Sequence, residues 1–153
     1  MIHLTSKLLE SLSGKTLATA ESCTGGMIGA YITAVPGSSA VYKGGIISYT
    51  NEIKQNLLGV DKTLLEKEGA VSAPVAKAMA EGARRALRAD IAVSVTGLAG
   101  PGGDDYGNPV GTVYIGYADE KGTEAFCFHF NGDREAVRNQ AAKAALTLIL
   151  SKN

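Results

Sequence analysis

A single three-layer α/β/α domain with a mixed β-sheet, spanning residues 1–153, is the architecture this sequence predicts. Two observations carry that reading. Short apolar runs of strand length alternate with helical stretches, the pattern of parallel βαβ units. One late pair of runs instead alternates at period two around Asp119-Glu120-Lys121-Gly122, as an antiparallel hairpin does.

The elements follow in order. Leu4, Leu8, Leu9 and Leu12 stand at helical spacing within residues 1–13, and Gly14 ends the run. Residues 16–20 form a buried strand, and Met27 to Val35 a helix stopped by Pro36-Gly37. A second strand covers 45–49. Asn51 then caps a helix that runs through Leu58 to Gly59, and Asp61 caps another as far as Glu68. Ser72, with Pro74 just inside, opens a long helix from Val75 to Arg88, whose Ala76, Met79, Ala80, Ala83 and Leu87 make one apolar stripe. Ile91 to Thr96 is a third strand, and Gly97 to Gly107 a glycine-rich loop. Residues 110–117 and 123–130 form the hairpin, and Asp133 caps a last helix from 134 to about 151.

Composition narrows the function. Fifteen Lys plus Arg balance fifteen Asp plus Glu, a net charge of zero that argues against a nucleic-acid partner. No apolar run reaches the ~20 residues of a membrane span. The N-terminus lacks a signal-peptide layout, so a cytoplasmic location is expected. Two cysteines and two histidines assemble no zinc motif at standard spacing, and neither a metal nor a cofactor is expected. Gly14-Lys15-Thr16 imitates the end of a phosphate-binding loop, but Leu9 stands where the motif needs its first glycine. Residues 100–103 complete no dinucleotide fingerprint, and no G-x-S-x-G elbow occurs.

The chemistry gathers around two glycine loops. Ser22 directly follows an apolar strand and precedes Thr24-Gly25-Gly26, which open a helix. A hydroxyl there is a candidate nucleophile, and the amides of Gly25 and Gly26 are candidate donors to an oxyanion or a phosphate. Helix capping by Ser22 is the plainer alternative. Cys23 is a second candidate nucleophile or a packing residue. His3 and His129 stand in poor places for a Ser-His-Asp triad, which leaves lysine as the base. Lys54 falls in the first turn of its helix, where the dipole and burial would both lower its pKa; the alternative is a solvated surface lysine. Tyr49 is placed to hydrogen-bond the lysine or the serine, unless it is an ordinary strand aromatic. The second loop, Thr96-Gly97-Leu98-Ala99-Gly100-Pro101-Gly102-Gly103, also follows a strand, and in open α/β sheets ligands collect at that edge. Thr96 offers a hydroxyl there. Arg134 offers a cation to a carboxamide or phosphate, or is simply solvated.

Ala20-Glu21-Ser22-Cys23-Thr24-Gly25-Gly26, Pro36-Gly37-Ser38-Ser39, Ser48-Tyr49-Thr50-Asn51-Glu52-Ile53-Lys54, Gly69-Ala70-Val71-Ser72, Thr96-Gly97-Leu98-Ala99-Gly100-Pro101, Pro109-Val110-Gly111-Thr112-Val113 and Gly132-Asp133-Arg134, in this order, resemble the C-terminal domain family of the competence/damage-inducible protein CinA. The resemblance runs from about residue 5 to residue 150. It implies a metal-independent serine amidohydrolase of pyridine nucleotide salvage, which hydrolyses nicotinamide mononucleotide to nicotinate mononucleotide and ammonia. By the same resemblance the nucleophile maps to Ser22, its base to Lys54, an assisting tyrosine to Tyr49 and a functional arginine to Arg134. Thr96 falls where relatives place a hydroxyl residue. Thr24, Gly25, Gly26, Thr96, Gly97 and Arg134 are the substrate-binding candidates. The chain is expected to be the stand-alone form, without the larger N-terminal domain of some relatives. A non-catalytic nucleotide-binding module and a Ser/Lys hydrolase of another amide are the competing readings. A homodimer is expected: the alanines of 75–88 and Ala141, Ala142, Ala144 and Ala145 suit close helix packing across it, and would equally suit an internal core.

Overall fold

The computed structural model describes all 153 residues. The chain runs through α1 (Ile2–Ser11), β1 (Leu17–Glu21), α2 (Met27–Thr33), a 3-10 turn at Ser38–Ala40, β2 (Tyr42–Ile47), α3 (Asn51–Leu58), α4 (Lys62–Glu68), α5 (Ala73–Leu87), β3 (Ile91–Gly97), β4 (Thr112–Asp119), β5 (Gly122–His129) and α6 (Arg134–Lys152). One five-stranded sheet has the order β2-β1-β3-β4-β5. β2, β1 and β3 are parallel, while β4 and β5 return antiparallel as the expected hairpin, so the sheet is mixed.

Helices cover both faces. Leu8 of α1 and Leu12 just past its end, Ile28 and Ile32 of α2, and Leu146 and Ile149 of α6 pack against Leu17, Val93, Val95 and Ile115. On the opposite face Leu58 of α3, Leu65 of α4, and Val75, Met79 and Ala83 of α5 pack against Ala18, Ala20 and Ala92. Every residue of β1 is buried, as a central parallel strand between two helical layers requires. Ala76, Ala80, Ala83, Ala141, Ala142 and Ala145 are fully buried within the chain, so most of both alanine stripes belongs to its own core.

The register sets up the site. Glu21, the last residue of β1, pairs with Ile47 on one side and Val95 on the other. The next residues of the three strands, Ser22, Ser48 and Thr96, therefore emerge side by side at one edge of the sheet. The Ser22 amide donates to the Val95 carbonyl at 2.9 Å, and the Ser48 amide to the Glu21 carbonyl at 2.8 Å, extending the pairing one step past the strands.

Several boundaries differ from the sequence reading. β2 starts at Tyr42 and stops at Ile47, so Ser48 and Tyr49 lie beyond the strand rather than in it. Its partner β1 begins at Leu17 and carries the pairing through Gly44 and Gly45, residues whose own strand preference is poor. A side chain at Gly45 would collide with the Thr19 hydroxyl, which is why the ladder tolerates glycine there. α3 is capped by Thr50, whose Oγ1 accepts from the Ile53 amide at 3.3 Å, not by Asn51. Ser72 occupies the cap position of α5 but its hydroxyl donates backwards to the Gly69 carbonyl at 2.8 Å. Asp61 and Asp133 cap α4 and α6 as expected.

α3 lies directly on α5 at Gly82, where an added Cβ would overlap the Leu58 carbonyl oxygen. Gly82→Ala gains roughly 0.5–1 kcal/mol of helix propensity and loses about 1–3 kcal/mol to overpacking against a backbone that cannot yield. Urea unfolding should show a lower midpoint at unchanged slope.

Candidate active site

A cavity of about 450 Å³ opens at the sheet edge where Ser22 and Thr96 emerge, lined by residues that include Ser22, Cys23, Tyr49, Lys54, the loop Thr96–Gly103 and Arg134. The second glycine loop thus faces the crevice along its length, and the first contributes only Ser22 and Cys23. Thr24, Gly25 and Gly26 are not part of its wall.

Lys54 is 1% exposed, on the side of α3 that faces the sheet. Its Nζ donates to the Ser48 carbonyl at 2.7 Å and lies 3.0 Å from Ser22 Oγ. Burial pulls its pKa from 10.5 down to about 8, against a small opposing pull from Cys23. At that value roughly a tenth of the amine is neutral at pH 7. With one hydrogen fixed on the Ser48 carbonyl, the neutral amine can turn its lone pair to the serine proton. Ser22, Lys54 and the Ser48 carbonyl thus lie within hydrogen-bond reach of one another, an arrangement that can supply a nucleophile, a base and an orienting group.

Ser22 is not a helix cap. The N-terminal amides of α2 are taken by Glu21, 2% exposed, whose Oε1 accepts from Gly26 at 3.2 Å and Ile28 at 2.9 Å and whose Oε2 accepts from Gly29 at 3.1 Å. The Gly25 amide donates to the Ser22 carbonyl at 3.1 Å. The expectation that Gly25 and Gly26 offer free amides is therefore corrected, since a carboxylate of the chain itself fills that helix end. Their left-handed backbone, φ +59° and +109°, serves the turn. The free donors are one step earlier: the Cys23 and Thr24 amides meet no acceptor in the chain. Cys23 lines the cavity beside the serine, so its N–H is a candidate main-chain donor to a developing oxyanion. Thr24 is fully buried with its hydroxyl unpartnered.

The Cys23 thiol is raised by burial from 9.0 to about 11, which keeps it protonated and leaves the Ser22 hydroxyl as the stronger candidate nucleophile of the turn. Tyr49 is 60% exposed at the mouth, and its hydroxyl accepts from Arg134 Nη2 at 3.1 Å; neither Lys54 nor Ser22 is its partner, because β2 ends two residues before it. Arg134, the first residue of α6, also donates from Nη1 to the Gly100 carbonyl at 2.8 Å and so ties the second glycine loop to Tyr49. Thr96 donates its hydroxyl to the Ala70 carbonyl at 2.9 Å, so toward the cavity it can offer lone pairs only. Gly97 packs so closely on Thr112 and Val113 that a Cβ would sit 2.6 Å from Val113 Cγ2. No group of three or more His, Cys, Asp or Glu side chains is placed to hold a metal ion.

Sequence reasoning missed Glu21, the Ser48 carbonyl and Arg138. Glu21 had a signal, a carboxylate five to eight residues ahead of the amides that open a helix. The Ser48 carbonyl had none.

Fold and site together define an α/β domain that carries a buried serine–lysine pair at the carboxyl edge of its parallel strands. The chain belongs to the CinA C-terminal domain family, whose model matches residues 2–152. It is 52% identical over 134 residues to a CinA-like protein of Geobacter metallireducens, covering 88% of this chain and 32% of that one. To a CinA-like protein of Parasynechococcus marenigrum it is 53% identical over 137 residues, covering 90% and 32%. The chain spans about a third of the length of these curated relatives. Among solved structures, a competence-damaged protein (CinA) superfamily protein from Escherichia coli matches with a TM-score of 0.97 at 35% identity, over 100% of this chain and 91% of that one. A competence damage-inducible protein A from Klebsiella pneumoniae matches with a TM-score of 0.96 at 36% identity, over 99% and 95%. No helix is long and apolar enough to cross a membrane.

Because the Lys54 pKa is about 8 when folded and 10.5 when unfolded, the unfolded chain binds more protons between those values, and stability rises with pH across that window. The rise should total about 3 kcal/mol at 1.36 kcal/mol per unit. Chemical denaturation of wild type and Lys54→Met over pH 7–10.5 should show the slope in the first and its loss in the second. Cys23→Ala should keep any Ser22-dependent turnover within about tenfold, and iodoacetamide should not abolish it.

Proposed function

We propose that the protein is a serine amidohydrolase that converts nicotinamide mononucleotide and water to nicotinate mononucleotide and ammonia, with no metal in the reaction. The observation that carries the reaction class is the buried Lys54 Nζ at 3.0 Å from Ser22 Oγ inside the cavity. Lysine is the base because no histidine lines the site and because burial has already moved its pKa toward neutrality. The choice of substrate rests on the ordered sequence blocks shared with the family, together with a cavity in the size range of small-molecule sites. Arg134 and Lys54 are the only cations on its wall, and no carboxylate lines it, which suits a substrate bearing a phosphate.

The proposed reaction has two halves that share the same pair. Lys54 takes the Ser22 proton as Oγ adds to the carboxamide carbon, and the Cys23 N–H meets the oxyanion. Lys54 returns the proton to the amide nitrogen, the C–N bond breaks and ammonia leaves an acyl-Ser22 ester. Water then adds to the ester while Lys54 takes its proton. Collapse expels Ser22, reprotonated by Lys54, and releases nicotinate mononucleotide.

Ammonia release from nicotinamide mononucleotide, assayed with chelator present, should proceed in the wild type. It should fall about 10³-fold or more in Ser22→Ala and about 10²- to 10⁴-fold in Lys54→Arg, which keeps the charge but offers no neutral amine. Turnover should climb with pH toward a limb near 8. Tight binding of the nucleotide with no ammonia released would instead mark a non-catalytic binding module.

A further inference from the structure

Arg138 lies one helical turn beyond Arg134 on α6, outside the cavity wall. It makes no ion pair with any carboxylate. Its guanidinium is instead spent on the main chain of the nucleophile turn, Nε donating to the Cys23 carbonyl at 2.9 Å and Nη2 to the Thr24 carbonyl at 3.3 Å. A Cβ at Gly25 would lie 3.5 Å from Nη2, ordinary contact distance, so the guanidinium packs directly beside the turn.

We infer that Arg138 is a positioning residue for the Ser22 nucleophile. This rests on the serine–lysine reading above. In a planar trans peptide the carbonyl and the following N–H point in opposite directions. Holding the Cys23 carbonyl toward α6 therefore fixes the Thr24 N–H on the far side of the turn. The Thr24 carbonyl, held by the same guanidinium, also accepts from the Met27 amide at 3.1 Å, which locks the turn to the start of α2. Glu21 grips the opposite end through the amides of Gly26, Ile28 and Gly29. Carbonyls are thus held by a cation and amides by an anion, and between them Ser22, Cys23 and Thr24 have one backbone path. The two amides left free are those that directly follow the nucleophile. A lysine at 138 would bring the charge but not the planar fork that spans two carbonyls.

The test uses Arg138→Met, Arg138→Lys and Arg138→Ala, with two readouts. One is kinetics on nicotinamide mononucleotide. The other is the rate at which a fluorophosphonate labels Ser22, where Oγ bonds phosphorus, fluoride leaves and the serine proton goes to Lys54. In Arg138→Met both kcat and labelling should fall about 100-fold, the effect of misplacing a reacting group by about 1 Å. KM and the pH limb near 8 should stay where they are in the wild type. Lysine should restore only part of the loss. Millimolar guanidinium, but not methylammonium, should restore Arg138→Ala. Unchanged kcat and labelling in a folded Arg138→Met would overturn the inference. So would a loss confined to KM, a shifted pH limb, or a loss in Arg138→Ala that follows its melting temperature and resists guanidinium. A wild type that labels at Ser22 but releases no ammonia would refute the substrate, and Arg138 is then judged on labelling alone. A wild type that does neither refutes both.

Discussion

The constraint on which the rest of this structure depends is an amine kept out of water. Moving a lysine head group from solvent to a site that is 1% exposed opposes the charged form by the whole difference in hydration. No carboxylate offsets it. The amine has only the Ser48 carbonyl and the Ser22 hydroxyl as polar partners, and both are fixed by the sheet, through the pairing of Ser48 with Glu21 and of Ser22 with Val95. The helix that carries the lysine is fixed in turn. Thr50 caps its start, Gly59 closes its end in the left-handed region, and its last carbonyl sits on Gly82 of α5. A sheet register one residue different would move the hydroxyl and the carbonyl to opposite faces. The close helix contact and the buried base are therefore one construction.

The nucleophile turn shows a second use of the same economy. A helix N-terminus is a ready-made anion site, and a glycine turn after a strand invites a phosphate there. Glu21 occupies it from inside the protein. Its carboxylate satisfies three amides and leaves the turn with donors only at Cys23 and Thr24. Electrostatic capacity at the sheet edge then belongs to Arg134 and the second glycine loop, which Arg134 draws together with Tyr49. Free amides thus lie beside the serine, and the cationic group lies across the crevice.

Much of this was legible in the sequence because the signals are local. Gly59 marks a helix end by its left-handed backbone, Asp61 and Asp133 mark helix starts by their side-chain caps, and period two marks the hairpin; α1 stops at Ser11, three residues short of Gly14. The candidates Ser22 and Lys54 could be named from what precedes and follows them. What the sequence misled on depends on tertiary pairing. The end of β2 is set by β1, so Tyr49 falls outside the strand and turns to Arg134. Thr50 outcompetes Asn51 for the cap because α3 starts where β2's extension at Ser48 lets it start. Gly25 and Gly26 read as open donors although Glu21 stands at the spacing from which a carboxylate reaches the opening amides of a helix; that it takes the Gly26 amide, while the Ser22 carbonyl takes that of Gly25, is settled only by the folded turn. Arg138 was silent for the same reason, since its partners are carbonyls more than a hundred residues away.

Why serine and not the neighbouring thiol follows from the same burial. Cysteine is intrinsically the better nucleophile, but only as a thiolate. At 6% exposure the Cys23 thiol is pushed to about 11, although Arg138 and Lys54 both favour its ionised form. Serine needs no such ionisation in advance, because its proton leaves as the bond forms, and what it needs is a base of suitable strength at contact distance. Desolvation therefore acts in opposite senses on adjacent groups. It silences the thiol by penalising an anion and arms the lysine by penalising a cation. A carboxylate on the cavity wall would pull the lysine pKa back up and leave it protonated at neutral pH. The wall has none, and Glu21, directly before the serine, keeps its oxygens on the amides that open α2. The exclusion of acids from the crevice is thus as much a part of the serine–lysine pair as the two residues themselves.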